Sequence, residues 1–356
     1  MGIKASKAST KNIDDYSIVS VPKNYTMLKI ISYYIDLRIS ANVDFKVSEI
    51  INYIMSNRKN KYANIINLQG INDVLSLHLL IRGIKKYCIE KKITMYFAPE
   101  FDDIDADDKS EGSKGRSDRR SKNLEDFTAG TISKKGHISK AKEGKHIIHN
   151  VIISTYPIVG TIYSELDDKT NMDDIFGIQT VIGANILIDE VVISVYNTCL
   201  SKDIRTSNFV NDAVRKTELE ALDSVMTNNK KELLNGSNTR SNIHIIVGNL
   251  HIPEIANDNI NNEYISSIKN NNFVDIFRYK LPKDFGYTTS YNERSSYILL
   301  DISQEIYDNI QKTDHTEVLK LLFNEYKIHI MDMYVVKNNR NIIHYPLECI
   351  FMIKSS

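Results

Sequence analysis

At 356 residues, 42% of them hydrophobic, the chain has enough apolar material for a sizeable core, and its length fits one large domain or two. Lys and Arg together number 45, as do Asp and Glu, and this zero net charge excludes any global electrostatic drive toward nucleic acid or an anionic membrane. Cys88, Cys199 and Cys349 are odd in number, far apart and without CxxC spacing, which speaks against a disulfide frame or zinc site and for a reducing compartment.

The N-terminus reads as a flexible polar segment, 1–26. It lacks the apolar core of a secretory leader, so the expected location is intracellular: cytoplasm, peripheral membrane or, for a viral protein, the virion. The abundance of Asn, Ile, Lys and Tyr without any Trp has the look of an AT-rich genome such as that of a large DNA virus. Its first residues fit the N-myristoylation pattern Met-Gly-x-x-x-Ser, with Gly2 as the acylated residue, Ser6 in the serine position and Lys7 directly after it. One myristoyl chain binds membranes only marginally, with an association constant on the order of 10⁴ M⁻¹. Lys4, Lys7 and Lys11 supply the second, electrostatic signal, each contributing roughly 1 kcal/mol near an anionic surface.

From Leu28 to Arg38 the sequence is β-rich, and Val47 to Met55 is amphipathic with Ile50, Ile51, Ile54 and Met55 on one helical face. A strand follows from Ala63 to Gly70. A helix from about Asn72 to Lys86 puts Val74, Leu75, His78, Leu79 and Ile81 on or near its packed face, and Ile93 to Ala98 is a third strand. Between 101 and 145 the composition turns to Asp, Ser, Lys, Arg and Gly, which predicts a disordered, solvated insertion. Its cluster Lys114, Arg116, Arg119, Arg120 and Lys122 is the one local patch suited to phosphates, although such runs are ordinarily soluble loop.

Strands return at His146 to Ile158, Thr180 to Ile188 and Val191 to Leu200, the last two forming a tight hairpin around Asp189 and Glu190. Polar residues Gln179, Asn185, Asp189 and Glu190 interrupt this greasy region, which therefore does not read as a membrane span. A polar helix, Phe209 to Asn229, leads to Ile243–Pro253, a β-branched run whose Gly248 opens a turn presenting Asn249 and His251 at the strand's carboxyl end. Then come a helix-like stretch at Tyr264 to Asn271, the segment Asn272 to Arg278, and strands at Ser295 to Leu300, Ile328 to Val336 and Tyr345 to Ile353. Strands with interposed helices along the whole length predict one α/β domain of two facing sheets with helices outside.

Seven short stretches in order, from Met27 to Ile353, resemble the motifs of the endonuclease/exonuclease/phosphatase superfamily, which includes DNase I-like nucleases, inositol phosphatases and sphingomyelinases. That resemblance implies a single domain, 27–353, with a two-layer mixed and antiparallel β-sandwich flanked by helices: the DNase I-like four-layer α/β/β/α fold. Where the family has Ser-Tyr-Asn-Ile, this chain has Ser32, Tyr33, Tyr34 and Ile35, and the metal-binding Leu-Gln-Glu becomes Leu68, Gln69 and Gly70. The Arg-Tyr-Pro-Ile frame survives as Thr155, Tyr156, Pro157 and Ile158, whereas Asn-Thr-His-Leu becomes Asn197, Thr198, Cys199 and Leu200.

Asn249 and His251 stand where the family has the Asp that handles the attacking water and its partner Asn, and Ser296 replaces the Asp of Arg-Ile-Asp-Tyr-Ile. The closing Ser-Asp-His-Tyr-Pro becomes Ile342, Ile343, His344, Tyr345 and Pro346. Of the eight positions where the resemblance puts the family's active-site polar residues, only His344 is kept; Tyr34, Gly70, Cys199, Asn249, His251, Ser296 and Ile343 are all changed.

Mg²⁺, the cofactor of active relatives, is held by carboxylate oxygens, which Gly70 and Ser296 lack, so no metal and no catalytic residue is expected. The resulting expectation is a pseudoenzyme that serves as a binding or structural module for a protein partner, tethered to membrane through Gly2. Two alternatives stand beside it. One is an active metal-dependent phosphodiesterase rebuilt from His251, His344, Cys199 and Asp36 or Asp301. The other is a nucleic-acid or lipid-headgroup binder using the old groove, with nucleic acid disfavoured by the neutral charge.

Overall fold

In a computed structural model, the structure describes residues 24–37, 48, 51, 63–99, 130–132, 138–140, 147–166, 177–201, 208–236, 243–254, 272–291, 293–313, 315–337 and 344–354. The central strands of one sheet are β1 (Tyr25–Leu37) and β2 (Ala63–Ile71), which run parallel. On either side of them lie antiparallel neighbours, β14 (Leu347–Lys354) next to β1 and β6 (His149–Ser154) next to β2. The short β3 (Tyr96–Ala98) and β13 (Ile328–Val335) complete the order β13-β14-β1-β2-β6-β3.

The second sheet repeats this plan. Its central parallel pair is β9 (Val191–Cys199) with β10 (Ile243–Glu254), flanked antiparallel by β8 (Gln179–Ile188) and β12 (Arg294–Asp301). With β7 (Ile158–Leu166) and β11 (Phe273–Asp275) at the edges, the order is β11-β12-β10-β9-β8-β7.

Each sheet is buried on both faces, which is why its central strands are near-continuous runs of β-branched residues. Leu28, Ile30, Ile65, Ile193, Val195, Ile245, Val247, Ile298, Leu300, Cys349 and Phe351 form the core between the sheets. The outer face of the first sheet, with Ile31, Tyr33, Ile66, Leu68, Val151 and Ile153, is covered by α1 (Val74–Lys91). Tyr196, Ile246, Tyr297 and Leu299, on the outer face of the second, are covered by Leu219, Leu222 and Met226 of α2 (Asn208–Gly236). Layers therefore run helix, sheet, sheet, helix, the architecture expected from the sequence. Burying each of these large aliphatic side chains contributes about 2 kcal/mol, so all three cores help to hold the layers together.

Several local expectations are corrected. The buried stripe of α1 is Leu77, Leu80, Ile81, Ile84 and Cys88, while Leu79 is exposed and His78 only half-buried, its pKa lowered by burial. Asp73 sets this phase by capping the helix, its carboxylate accepting from the Ser76 N–H at 2.6 Å. The stretch read as one strand from His146 to Ile158 turns at Ser154 to Pro157 and continues as a separate strand, β7, in the other sheet. Two helices went unread: α4 (Gln304–Gln311), with Ser303 as its cap, and α5 (His315–Tyr326).

The hairpin at Asp189 and Glu190 is as expected, with Ile188 paired to Val191 and Asp189 at φ 53°. Within the polar segment 101–145, expected to be disordered, β4 (Gly130–Ile132) and β5 (Ile138–Lys140) form a two-stranded antiparallel ladder. The rest of that segment, the N-terminal 1–23 with Gly2, Lys4, Lys7 and Lys11, the helix-like 264–271, and Ile343 lie outside the described residues. Of Val47 to Met55 only Ser48 and Ile51 are described, both helical, with Ile51 packed on the outer core of the first sheet. Cys88, Cys199 and Cys349 are buried thiols outside any disulfide. No described helix is long and apolar enough to cross a membrane.

Candidate functional site

Alternate residues of a strand share one face, so the inward side of the sandwich can be followed strand by strand. On β1 it reads Leu28, Ile30, then Ser32 and Tyr34; on β2, Ile65, then Asn67 and Gln69. On β9 it reads Ile193, Val195, then Asn197 and Cys199; on β10, Ile245, Val247, then Asn249. The antiparallel β12 mirrors them with Leu300, Ile298, then Ser296 and Arg294. Every central strand thus changes from apolar to polar toward the same end of the sandwich.

Hydrogen bonds across the gap show that these ends meet. Gln69 Nε2 donates to Asn197 Oδ1 at 2.8 Å, and Asn197 Nδ2 donates to the carbonyls of Leu68 at 3.0 Å and Val151 at 2.8 Å. Nearby, Asn150 Nδ2 donates to Thr180 O at 2.8 Å and Thr180 Oγ1 to Ile148 O at 2.8 Å. These are neutral groups satisfying buried backbone, a polar seam between two layers.

At the mouth of that seam sits Tyr34. Its ring covers Gly70 so closely that a Cβ at position 70 would lie 2.4 Å from Tyr34 Cε2 and 2.8 Å from Cζ, and Gly70 has φ +78°. Glycine is required there twice over, by the left-handed backbone and by the ring above it. His251 meets the Tyr34 ring edge-on with centroids 5.3 Å apart, and His344 does so at 4.5 Å. Tyr34 is 8% exposed, so the ring fills this space instead of projecting from it.

Strand pairing breaks around the group: between Tyr34 and Leu37 on β1, Leu68 and Ile71 on β2, and Asn249 and Glu254 on β10. His251, in this last irregularity, has φ 50°. Such bulges turn side chains out of their regular alternation, which is how His251 reaches Tyr34. Gly248 does not open a turn, as the sequence suggested, because β10 continues to Glu254. Instead, a Cβ there would lie 1.9 Å from the carbonyl oxygen of Thr198 on the neighbouring β9.

The structure therefore brings Tyr34, Gly70, His251 and His344 into one group, with the remaining sequence candidates lining the strand ends beside it. Asn249 is in register with both Cys199 and Ser296. Its Oδ1 accepts the His251 N–H at 3.2 Å, and among the described residues its Nδ2, like Ser296 Oγ and Gln69 Oε1, has no hydrogen-bond partner. Cys199 is buried, with its thiol against Leu200 O at 3.5 Å.

Asp301, an element of the rebuilt-site alternative, is at the wrong end: it pairs with His244 at the start of β10 and is bound by Lys230 of α2. Burial raises its pKa, opposed by Lys230. For Asp36 only the backbone, within β1, is described.

A magnesium ion needs anionic oxygens, and among the described residues the side chains gathered around Tyr34 offer amides, hydroxyls, imidazoles and a phenol ring. Among the described residues no group of three or more His, Cys, Asp or Glu could hold a metal. Asn249 offers a neutral amide instead of a charge, and the Tyr34 ring takes the space over Gly70, so the described residues do not fit the ion.

One ionised group nearby escaped the sequence reading. Arg294, fully buried, makes bonds of 2.7 and 2.5 Å to Asp275 and lies over the rings of Phe277, 4.8 Å, and Tyr297, 4.5 Å. The signal was a lone carboxylate inside the apolar run Phe273 to Phe277, which demands a buried cation.

No family model and no curated protein matches this sequence. Solved structures do match its fold. An endonuclease/exonuclease/phosphatase family protein from Leptotrichia buccalis superposes with a TM-score of 0.50 at 13% identity, covering 90% of this chain and 98% of that one. One from Bacteroides thetaiotaomicron gives 0.51 at 10% identity, covering 94% and 97%. The catalytic domain of human Nocturnin gives 0.50 at 10% identity, covering 92% and 96%. The architecture of this chain is the DNase I-like one, at sequence distances that speak for fold alone.

Proposed function

We propose that this chain is a catalytically inactive member of the DNase I-like superfamily that serves as a binding or structural module. The observation that carries the reading is the Tyr34 ring over Gly70, wedged between His251 and His344, in the place where the resembling motifs put a metal-binding amide and carboxylate.

Phosphodiester hydrolysis needs a base for water and cations for the charge developing on phosphorus. Asn249 accepts no proton at neutral pH, and Arg294 is committed to Asp275. Loss of a general base alone costs roughly 10²–10⁴ in rate, and loss of the metal adds to it, even if the two do not combine additively.

The test is hydrolysis of DNA, phosphoinositides and sphingomyelin with Mg²⁺ or Mn²⁺. The reading expects no turnover above buffer. Metal-dependent turnover abolished by His344→Ala overturns it. The Gly2 pattern supports a membrane tether for the same module, which intact-mass analysis of the protein from its native host tests: an N-terminus without a myristoyl group removes the tether and leaves the module.

A further inference from the structure

Residues 281–293 link α3 (Ile276–Lys280) to β12 and expose two aromatic rings. Phe285 is 50% exposed and Tyr291 70%. This is a braced segment. Asp284 N–H donates to Leu281 O at 3.1 Å, Gly286 N–H to the Asp284 carboxylate at 2.8 Å, and Arg278 donates to the carbonyls of Asp284 and Phe285. Thr288 and Thr289 N–H both donate to Glu293 O, at 2.9 and 3.1 Å. Gly286 has φ +62° and lies so close to Phe277 that a Cβ would fall 2.4 Å from its ring, which clamps the turn onto the core.

Phe285 and Tyr287 stack with centroids 5.3 Å apart and planes 7° from parallel. Lys337 Nζ lies 6.0 Å from the Tyr287 ring and 5.9 Å from that of Tyr345. The surface borders the filled cleft, because Thr289 bridges to His344 and Tyr345 N–H donates to Thr288 O at 2.7 Å.

We propose that this rim docks on an anionic lipid bilayer, with Phe285, Tyr287 and Tyr291 entering the headgroup region and Lys283 and Lys337 meeting lipid phosphates. Tyr287 and Tyr291, each with an apolar body and a polar tip, partition to that depth, the apolar ring of Phe285 enters beside them, and exposed lysines supply the complementary charge. Of the two acidic residues in the segment, Asp284 turns its carboxylate to the Gly286 N–H, and Glu293 stands at the far base beside β12.

A single-stranded nucleic acid would instead need free ring faces for its bases. Phe285 stacks on the Tyr287 ring and Lys337 lies over it, so the middle ring of the three is already occupied. The proposal goes beyond the module reading and needs neither a dead cleft nor an acylated Gly2.

The experiment uses the full chain made without acylation and co-sedimented with vesicles, either of phosphatidylcholine alone or with about a third phosphatidylserine. Sedimentation with the anionic vesicles alone is expected. Lys283→Gln and Lys337→Gln each lower the partition about fivefold. Phe285→Ala combined with Tyr291→Ala lowers it at least about tenfold, with an unchanged melting temperature, since both rings are exposed. Wild-type protein that stays in solution overturns the proposal, as does a double variant that sediments like wild type. Binding of an oligothymidylate through the same residues, without vesicle binding, overturns it in favour of nucleic acid. Hydrolysis assays on the same samples report on the cleft separately: turnover there would remove the inactive-module reading and leave this one standing.

Discussion

Gln69 on β2 and Asn197 on β9 share a 2.8 Å hydrogen bond that ties one sheet to the other at the polar end of the sandwich. Both side chains are fully buried, and the work they do here is structural. Asn197 also donates to Leu68 O and Val151 O, so a single amide holds three groups from two strands of the facing sheet.

Asn197→Leu removes all three bonds at once and leaves two buried carbonyls and the Gln69 amide without this partner. Each unsatisfied buried group costs about 1–3 kcal/mol, so a loss of about 3–5 kcal/mol is expected in urea denaturation. A loss under about 1 kcal/mol would mean that water replaces the amide and that the seam is wet.

The Tyr34 and Gly70 pair makes a quantitative claim about the filled cleft. Gly70→Ala alone introduces a Cβ 2.4 Å from the ring and a side chain at φ +78°. Left-handed backbone costs about 1–2 kcal/mol and the clash about 1–3 more. In a Tyr34→Ala background only the backbone cost remains, so a double-mutant cycle should return a coupling of about 1–3 kcal/mol. Additive losses would show that the ring moves aside freely and that the cleft is gated, not plugged.

Arg294 and Asp275 predict an asymmetry between breaking and replacing a buried pair. Asp275→Asn leaves a guanidinium between two rings without its counter-charge and turns an amide N–H₂ toward one of the two Arg294 donors that the carboxylate oxygens now accept from. Its cost should be about 3–5 kcal/mol. Replacing both, Arg294→Met with Asp275→Leu, should cost less than the single change, because no charge is then stranded. Denaturation midpoints of the three proteins decide it; a double variant less stable than Asp275→Asn would mean that the pair contributes net stability.

How much of this was legible beforehand follows from what the sequence encodes locally. The runs Leu28 to Ile35, Ile243 to Leu250 and Tyr297 to Leu300 are strands because period and β-branching say so, whereas the two facing sheets followed from the mix of strands and helices along the whole chain and from the family resemblance. β7 escaped because, as an edge strand, it alternates Ile, Val, Gly, Thr and Ser without an apolar run. The stripe of α1 was misphased because Leu75, Leu77, Leu79, Leu80 and Ile81 suit two faces almost equally, and the cap at Asp73 decides between them.

At the site, that Gly70 and Ser296 bring no carboxylate was visible in the sequence. That Tyr34 takes the space over Gly70 was not, since it depends on a register shift that brings two separate strand ends together. The edge-on packing of His251 and His344 against that ring was equally hidden, because it needs the bulge in β10.

The last prediction concerns the other face of the second sheet, where Tyr196 sits under α2. Its hydroxyl accepts from Asn229 Nδ2 at 2.7 Å and lies 3.3 Å from His244 Nδ1, while Asn229 and Asn185 bond each other and Ser194 donates to Asn185 at 2.8 Å. Burial raises the Tyr196 pKa from 10.0 to about 12, hydrogen bonds from Asn229 and Ser194 oppose the rise, and Asp301 adds to it.

A group whose folded pKa exceeds its unfolded one leaves stability intact below the unfolded value and removes it as pH climbs through the folded value. Stability should therefore hold to about pH 10 and fall by about 2–3 kcal/mol by pH 12 from this residue. Tyr279, also raised to about 12 by burial first and then by Tyr307 and Asp275, adds to the fall. Tyr196→Phe should lower stability near neutral pH by about 1 kcal/mol, through the lost bond to Asn229, and make the alkaline slope shallower. Urea titrations at intervals from pH 8 to 12, on wild type and Tyr196→Phe, measure both effects, and parallel slopes for the two proteins would show that this hydroxyl keeps its proton equally well in the folded and unfolded chain.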